Sequence, residues 1–260
     1  MQNYALITGA SKGIGKCFAE ILAKKGYNLV LIARSENELK EVQTNLIQQY
    51  STKVEILSLD LSSVSSVDII FNFCESNSLP IEILINNAGY GIFGSFEKSD
   101  LAEQEKMLRL NMISLVALTH KFIGILKKQI KSYILNVAST AAYQPVPELS
   151  TYSASKSFVL SFSRAIAFEL KGSSLSVSCL CPGSTKTNFM ERAGMKNPKI
   201  IATSEKLGMS AELVAEQGIK EMFKGNPEFI PGLVNKISSF FVGFIPKSLV
   251  VKIASSIYQE

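Results

Sequence analysis

The stretch Tyr4-Ala-Leu-Ile-Thr-Gly-Ala-Ser-Lys-Gly-Ile-Gly15 decides which fold this sequence can adopt. Its first five residues, Tyr4–Thr8, form an apolar run that predicts a buried strand. The glycines at positions 9, 13 and 15 allow a tight turn, and the apolar pattern after them predicts a helix. Such a turn lets the backbone approach a pyrophosphate closely, and the N-terminus of the helix offers it free N–H groups. The chain therefore begins with a predicted phosphate-binding strand–turn–helix unit.

The rest of the chain alternates between short apolar runs and longer segments with helical periodicity. Strands are predicted at 4–8, 28–33, 54–59, 81–86, 132–137 and 176–181, with a short one near Phe229. Helices are predicted at 14–25, 36–49, 101–130 and 151–171. Runs that are apolar throughout are typical of strands covered on both faces, as in a parallel sheet. The alternation predicts a doubly wound α/β domain.

Composition narrows the classes of protein. The 260 residues are 47% apolar and 19% charged, which excludes a disordered chain and predicts a large core. The net charge of +5 is mild and spread out, so we expect no nucleic-acid partner. Four cysteines fit neither a disulfide framework nor a zinc site, and one histidine, His120, excludes a multi-histidine metal centre. We therefore expect no metal, and we expect His120 to be structural or exposed.

The N-terminus shows no charged segment followed by an apolar core ahead of the first predicted strand, so we expect no signal peptide. With cysteines that we expect to be reduced, this favours a cytoplasmic location. The most apolar stretch, 237–251, is shorter than a membrane-spanning helix requires.

Further motifs follow the glycine turn in a fixed order. They are Asn86-Asn87-Ala88-Gly89 after the fourth strand, Asn111 in the next helix, Ser139 after the fifth strand, Tyr152-Ser-Ala-Ser-Lys156, and Cys181-Pro182-Gly183 after the sixth strand. Over residues 4 to about 230 this order resembles the short-chain dehydrogenase/reductase family, in particular the branch of 3-oxoacyl and steroid reductases. The resemblance implies a Rossmann-like doubly wound parallel sheet and an oxidoreductase that transfers hydride with a nicotinamide cofactor.

Tyr152 and Lys156 are four residues apart and therefore share one face of their predicted helix. An ammonium nearby lowers the pKa of a phenol, so Tyr152 can serve as general acid toward a carbonyl oxygen. The resemblance implies that Ser139 hydrogen-bonds the substrate oxygen and that Lys156 also binds the nicotinamide ribose. It further implies that Asn111 holds a water linking Lys156 to solvent. Without the other motifs, the Tyr/Lys spacing would indicate an ordinary helix pair.

The end of the second strand indicates which dinucleotide binds. An NAD-preferring site usually has Asp or Glu there, whereas this chain has Ala33 followed by Arg34. Arg34 can pair with a 2′-phosphate through two hydrogen bonds, and Lys12 adds a second positive charge, so we expect NADP(H). The family's pattern places the cofactor against Gly9, Ser11, Lys12, Gly13, Ile14, Gly15, Arg34, Asp60, Leu61, Asn87, Ala88, Gly89, Tyr152, Lys156, Pro182, Gly183 and Thr185.

Three segments, 90–96, 141–149 and 184–210, are expected to surround the nicotinamide. We expect 184–210 to be an irregular substrate loop. The side chains they supply include Tyr90, Ile92, Phe93, Tyr143, Val146, Pro147, Phe189, Met190 and Met195. A largely apolar pocket favours a lipophilic carbonyl compound over a sugar.

Residues 233–260 extend beyond the catalytic region, 1–232, as a helical extension of the same domain. Ile237, Phe240, Phe241 and Phe244 recur at helical spacing, as do Leu249, Val250, Ile253 and Ile257 after Pro246. Two short amphipathic helices are therefore predicted. We expect their apolar stripes to pack on the fold itself or on a second subunit. The alternative is an anionic membrane surface, which Lys236, Lys247 and Lys252 would suit.

Partners and alternative functions complete the predictions. The resemblance implies a homodimer or homotetramer, because the helices carrying Asn111 and Tyr152 commonly pack on a second subunit in that family. One alternative is a catalytically silent NADP(H)-binding regulator, which we would expect to have lost Tyr152, Lys156 or Ser139. The other is a related epimerase or dehydratase.

Overall fold

The structure, a computed structural model, describes residues 3–258. The strands of its main sheet are β1 (Tyr4–Thr8), β2 (Asn28–Ala33), β3 (Val54–Ser58), β4 (Ile81–Asn86), β5 (Ser132–Val137), β6 (Leu175–Leu180) and β9 (Glu228–Phe229). A separate pair is formed by two short strands, β7 (Thr185–Lys186) and β8 (Met209–Ser210). Its helices are α1 (Gly13–Lys24), α2 (Glu36–Tyr50), α3 (Ser66–Ser76), α4 (Leu101–Leu108), α5 (Ser114–Leu126), α6 (Ser150–Glu169), α7 (Phe189–Arg192), α8 (Pro198–Leu207), α9 (Ala211–Phe223), α10 (Leu233–Val242) and α11 (Lys247–Tyr258).

Seven parallel strands form the central sheet in the order β3-β2-β1-β4-β5-β6-β9. The chain starts at the centre, winds outward to β3, and then returns to place β4 against the other side of β1. The strand order therefore reverses between β1 and β4. Ligands of open α/β sheets bind in the crevice at such a switch point, beyond the carboxyl ends of the strands. The predicted doubly wound parallel sheet is confirmed.

Helices cover both faces of the sheet because its strands are apolar on both faces. One core contains Phe18 and Leu22 of α1, Leu39 and Val42 of α2, and Val214 and Ile219 of α9. The opposite core contains Val67 and Ile70 of α3, Leu118 and Phe122 of α5, and Ile166 of α6. The sheet thus lies between two helical layers, and burial of these side chains holds the strand ends in fixed positions.

The strand predictions are confirmed to within one residue where apolar runs are longest. β2, β4 and β5 begin and end at the predicted residues, and β3 and β6 differ from prediction by one. The helix predicted at 101–130 is wrong in detail, because a π-helical turn at Arg109–Ile113 separates α4 from α5. The irregular loop predicted at 184–210 contains β7, α7, α8 and β8. Helices α3 and α9 were not predicted.

By length and composition alone, the stretch Leu101–Leu126 is the one helix within residues 3–258 that could cross a membrane, with a mean hydropathy of 1.2. In the fold it packs on the sheet through Leu118 and Phe122. A core helix of an α/β domain passes the same test.

The two predicted C-terminal helices are present as α10 and α11. Most of their apolar side chains do not pack on the fold of the same chain, and their packing on a second subunit stays a prediction. Eight of their large apolar side chains are exposed to solvent, for example Phe240 at 63% and Phe244 at 73% of its surface. We call these eight the C-terminal apolar surface: Leu233, Val234, Ile237, Phe240, Phe241, Phe244, Leu249 and Ile253. Only Ser239, Val250 and Ala254 are buried among the described side chains of the two helices. The side chains of Lys247 and Ile257, and residues 259–260, lie outside what the structure describes.

Candidate active site

A groove of about 790 Å³ lies across the carboxyl ends of the central strands, at the switch point between β1 and β4. Every predicted cofactor-binding residue except Gly15 lines it, as do Ser139, Tyr152 and Lys156. Gly15 and Asn111 do not line it, but Gly15 packs against Gly9 and Asn111 lies beside Gly89, and both of these neighbours do. The sequence motifs, which are up to about 170 positions apart, therefore meet in one groove.

The glycine turn forms one end of this groove. A Cβ at Gly15 would lie 2.1 Å from the carbonyl oxygen of Gly9, so only glycine allows the helix to approach the strand this closely. The Asn87 amide donates to the carbonyl oxygens of Thr8 and Gly9, at 2.9 and 3.2 Å. Thr8, which was not predicted, accepts from the backbone N–H groups of Asn87 and Ala88. The turn is thus supported from β4 as well as from within.

The first turn of α1 faces the groove, and no side chain caps its N-terminus at Lys12. The ammonium of Lys12 instead pairs with the carboxylate of Glu38 at 2.6 Å. This hydrogen bond raises the pKa of Lys12 and lowers the pKa of Glu38. Glu38 lines the groove but was missed from sequence. The spacing Ser35-x-x-Glu38 signals a helix start, and Ser35 does cap α2, but it does not reveal the contact with Lys12.

Arg34 and Asp60 lie on the β2 and β3 side of the groove. Burial acts to raise the pKa of Asp60, but hydrogen bonds from the Ser62 backbone and hydroxyl outweigh it and lower that pKa. The Asp60 carboxylate is therefore ionised and oriented. No carboxylate of a described residue lies within 4.0 Å of the Arg34 guanidinium.

Tyr152 and Lys156 share the inner face of α6 and are both buried. The Lys156 ammonium donates to the carbonyl oxygen of Val137 at 2.9 Å and lies 5.8 Å from the centre of the Tyr152 ring. Burial lowers the pKa of Lys156 to about 8. A Cβ at Gly89 would lie 3.2 Å from this ammonium, so Gly89 leaves the space that Lys156 occupies.

Ser139 follows β5 and caps the short 3₁₀ helix that comes next, where its hydroxyl accepts from the N–H of Ala141 at 3.1 Å. Ser139 lines the same groove as Tyr152. Asn111 lies in the π-helical turn, a feature frequent at functional sites. Its amide donates to the Tyr90 carbonyl at 3.0 Å and to Ser155 at 3.1 Å, and its oxygen accepts from the Tyr90 N–H. Asn111 therefore anchors the loop after Gly89.

The substrate side of the groove is apolar, but with fewer of the predicted residues than expected. Val146, Phe189, Met190 and Met195 line it, with the Phe189 ring 5.3 Å from the Tyr152 ring. Tyr143 turns away, since its hydroxyl donates to Glu228 at 2.6 Å. Tyr90, Ile92, Phe93 and Pro147 also stand outside the lining. The prediction assumed that all apolar side chains of the three segments face the groove. Neighbouring residues of a loop point in different directions, so only some of them do.

His120 is exposed on α5, as expected. Cys179 on β6 and Cys181 just after it are fully buried, with their sulfurs 3.9 Å apart.

The residues present fit a dinucleotide. The glycine turn forms a cradle that any Cβ at Gly15 would fill, and an uncapped helix N-terminus faces the groove beside it. Such a helix end suits a pyrophosphate. Arg34 lines the groove as a further positive charge, and Lys156 lines it beside Tyr152.

Comparison with known proteins agrees with this geometry. The family model for short chain dehydrogenases matches residues 3–198. A very-long-chain 3-oxoacyl-CoA reductase of Kluyveromyces lactis is 36% identical over 181 residues, covering 67% of this chain and 52% of that protein. A 17-beta-hydroxysteroid dehydrogenase type 3 of Mus musculus is 34% identical, covering 76% of this chain and 65% of that protein. The chain thus spans about half to two thirds of the length of these relatives.

Among solved structures, a short-chain dehydrogenase from Sphingobium yanoikuyae in complex with NADPH superposes with a TM-score of 0.81. It is 26% identical, and the match covers 95% of this chain and 97% of that one. The likeness extends over the whole fold, including the region of the groove.

Proposed function

We propose, since this chain belongs to the short-chain dehydrogenase family, that it is an NADPH-dependent oxidoreductase that interconverts a carbonyl and an alcohol. One observation carries this proposal. Tyr152, Lys156 and Ser139 line the same groove as the glycine turn. A silent regulator needs none of these three side chains, and all are in place. The reaction needs all three.

In this mechanism the bound cofactor supplies a hydride to the carbonyl carbon. Ser139 donates a hydrogen bond to the carbonyl oxygen, and the Tyr152 hydroxyl gives it a proton. The ammonium of Lys156, 5.8 Å from the Tyr152 ring, stabilises the phenolate that remains. Asn111 holds the Tyr90 backbone at the edge of the site, and Phe189 packs on the Tyr152 ring and excludes water from it.

The substrate proposed for this site is a lipophilic ketone or 3-oxoacyl thioester. Val146, Leu149, Phe189, Met190 and Met195 give the substrate side an apolar wall. Both relatives named above act, by their names, on substrates of this kind. A sugar would bind such an apolar wall weakly, because its hydroxyl groups would lose their hydrogen bonds to water there.

The test is a panel of carbonyl compounds incubated with NADPH while the nicotinamide absorbance is followed. We expect turnover with long-chain 3-oxoacyl thioesters or steroid ketones, at a kcat/KM about tenfold or more above that with ketoses. Faster turnover of ketoses would contradict the lipophilic substrate. Absence of any turnover, with NADPH still bound, would favour the silent regulator instead.

Cofactor preference is a separate prediction. We expect NADPH to bind at least about tenfold more tightly than NADH, which is a difference of about 1.4 kcal/mol in binding free energy. The reason is that Arg34 lines the groove and no carboxylate of a described residue lies within 4.0 Å of it. Arg34→Asp should reverse the preference, since a carboxylate repels a 2′-phosphate. Calorimetric titration of both cofactors measures this. Arg164→Asp is a charge-matched control far from the groove, where Arg164 pairs with Glu228, and should leave the ratio unchanged. Equal affinities in the unchanged protein would contradict the assignment.

We also propose a homodimer or homotetramer that works in the cytoplasm. Support comes from the helical face around α5 and α6, where Ile113, Phe158 and Phe168 are exposed. Phe158 also stacks on Phe162 at 6.0 Å, which extends the apolar surface of α6. Burying such an area against a second copy stabilises an oligomer.

The C-terminal extension, 233–260, is proposed to belong to the same domain and to rest on an anionic membrane. Asn235 of α10 lies where a Cβ at Gly183 would clash with it, at 2.6 Å, so this helix begins against the groove. Residues 233–258 hold three lysines and no acidic residue. Two copies meeting symmetrically through this surface would bring like charges together, whereas anionic lipid would neutralise them.

Vesicle sedimentation tests the C-terminal apolar surface. We expect the intact protein to sediment with phosphatidylserine vesicles but not with phosphatidylcholine alone. Replacing Phe240, Phe241 and Phe244 together by Ser should abolish this, with melting temperature unchanged because these rings are exposed. Deleting 233–260 should by contrast destabilise the fold, since it removes Asn235 from Gly183. If the triple variant instead lowers the oligomer number in light scattering, the surface is a subunit interface.

A further inference from the structure

The Phe189 ring packs against the Tyr152 ring, with 5.3 Å between the ring centres and 51° between the ring planes. Aromatic rings at this distance and tilt are in van der Waals contact. Tyr152 is buried, whereas Phe189 is half-buried and lines the groove beside it. The surface next to the proton donor of the proposed reaction is therefore an aromatic ring that belongs to α7.

Gly91 provides the space in which the two rings meet. A Cβ at this position would lie 3.1 Å from Cζ of Phe189 and 3.3 Å from Cγ and Cδ2 of Tyr152. Carbon atoms pack best at about 3.5–4.0 Å, so one of the rings would have to move. The φ angle of Gly91 is not positive, so its backbone conformation does not require glycine. The missing side chain instead leaves room for Phe189 against Tyr152.

Helix α7, which begins with Phe189, is attached at its other end to the loop after β4. The Phe189 carbonyl oxygen accepts from the Ala193 N–H at 2.8 Å, and the Ala193 carbonyl oxygen accepts from the Phe93 N–H at 2.9 Å. The Arg192 guanidinium lies 4.9 Å from the centre of the Tyr90 ring. These contacts fix the backbone of Phe189 relative to the site.

An unsymmetrical ketone can bind in such a site in two ways. In the proposed function Ser139 and Tyr152 both hold the carbonyl oxygen, and the hydride reaches the carbonyl carbon from one side. The ketone can still take two orientations, which differ by half a turn about the C=O axis. That turn exchanges the two substituents of the carbonyl carbon and gives the opposite enantiomer of the alcohol.

We propose that Phe189, in the space left by Gly91, is a specificity-determining residue that selects one of these two orientations. A substituent that extends from the carbonyl carbon along the Tyr152 ring meets the Phe189 ring. An unbranched substituent can lie flat on this ring, whereas a substituent branched next to the carbonyl would overlap with it. This inference rests on the proposed function and narrows its substrates to ketones that are unbranched on one side, as 3-oxoacyl thioesters are.

The experiment reduces two ketones with NADPH, methyl hexyl ketone and isopropyl hexyl ketone, which differ only in branching beside the carbonyl. Chiral chromatography measures the ratio of the product enantiomers, and nicotinamide absorbance gives kcat/KM. For the unchanged protein we expect an enantiomer ratio of at least about 20:1 from the methyl ketone. We expect its kcat/KM to be at least about tenfold lower for the isopropyl ketone.

Phe189→Ala should lower the enantiomer ratio to about 3:1 or less and bring the two kcat/KM values within about threefold of each other. Its NADPH affinity, measured by calorimetry, should stay within about twofold of that of the unchanged protein, because the ring acts on the substrate. Phe71→Ala is the control. Phe71 is also half-buried and lies 5.5 Å from another ring, that of Phe122, but it does not line the groove. This variant should keep both the ratio and the preference.

Gly91→Ala tests how the ring is held. Its methyl group must displace a ring, so we expect the enantiomer ratio to change by at least about threefold. In the Phe189→Ala background the same substitution should change the ratio less, because the ring that it displaces is gone. An equal change in both backgrounds would mean that Gly91 acts through Tyr152 alone and would contradict the role given to it.

Three outcomes would overturn the assignment of Phe189. They are an enantiomer ratio near 1:1 in the unchanged protein, a ratio that Phe189→Ala leaves unchanged, and an equal loss of kcat/KM for both ketones with the ratio retained. The last result would show that the ring is only structural. Absence of turnover by the unchanged protein with these ketones and with the whole carbonyl panel would instead refute the proposed function, so the two failures are distinguishable.

Discussion

Replacing Tyr152 by Phe should lower kcat by about 10³-fold while leaving NADPH affinity within about twofold. The substitution removes only the hydroxyl that gives its proton to the carbonyl oxygen. The ring stays buried between Phe189 and the ammonium of Lys156, so the wall keeps its shape. Steady-state NADPH consumption with the best substrate of the panel, together with calorimetric titration of NADPH, measures both quantities.

The same substitution at a second tyrosine tests whether the loss of activity is specific to Tyr152. Tyr143, whose hydroxyl donates to Glu228 and points away from the groove, provides the control. Tyr143→Phe should leave kcat near that of the unchanged protein, although it can lower the melting temperature by removing a half-buried hydrogen bond. If Tyr152→Phe keeps more than about a tenth of kcat, another group supplies the proton and the assigned mechanism is wrong.

Replacing Lys156 by Met should lower kcat by about 10²-fold or more and also weaken NADPH binding, because one ammonium serves both Tyr152 and the cofactor. The same substitution should increase the stability of the fold at neutral pH, although it lowers activity. Burial lowers the pKa of Lys156 to about 8 in the folded protein, against an ordinary value of 10.5. Below pH 8 the protonated lysine is present in both states, and folding then carries a penalty of about 3 kcal/mol.

The sign of this effect can be measured as a function of pH. Between pH 8 and 10.5 the unfolded chain binds a proton that the folded chain does not, so this group makes stability rise with pH. Lys156→Met lacks that dependence. Its free energy of unfolding minus that of the unchanged protein should therefore be about 3 kcal/mol larger at pH 7 than at pH 10.5, which means that the variant is relatively more stable at pH 7.

Urea unfolding of both proteins across this pH range gives the difference directly, and titrations of other groups cancel. Lys121→Met is the control, because Lys121 forms an exposed ion pair with Asp68 and should show no such trend. A difference between Lys156→Met and the unchanged protein that stays constant with pH would mean that the lysine is well solvated in the folded state.

The sequence predicts the sheet well for a physical reason. β2, β4 and β5 are covered on both faces, so their central residues are a continuous apolar run, and this run marks the strand. Helix α3 was missed because its apolar residues alternate with Ser, Asp and Asn and lie between two polar loops. The π-helical turn at Arg109–Ile113 leaves no periodic signal in a window of ordinary length.

The sequence predicts those residues of the site that belong to a recognisable motif. Positions such as Gly9, Tyr152 and Lys156 are recognisable because local geometry demands those residue types at that spacing. Glu38 and Arg192 reach the groove only through the packing of α2 and α7, which depends on contacts far along the chain. The C-terminal apolar surface shows the same limit. Its helical periodicity was correct, but periodicity cannot say what a stripe packs against.

The support of the glycine turn by Asn87 has a consequence for the order of events during protein synthesis. A nascent chain that has emerged only as far as β3 contains the whole turn, but not the amide that bonds to Thr8 and Gly9. At that stage the central strand also has an open edge, because its second neighbour, β4, is still inside the ribosome. We therefore expect nascent chains to acquire cofactor affinity only after about residue 90 has emerged, which arrested chains of graded length would reveal.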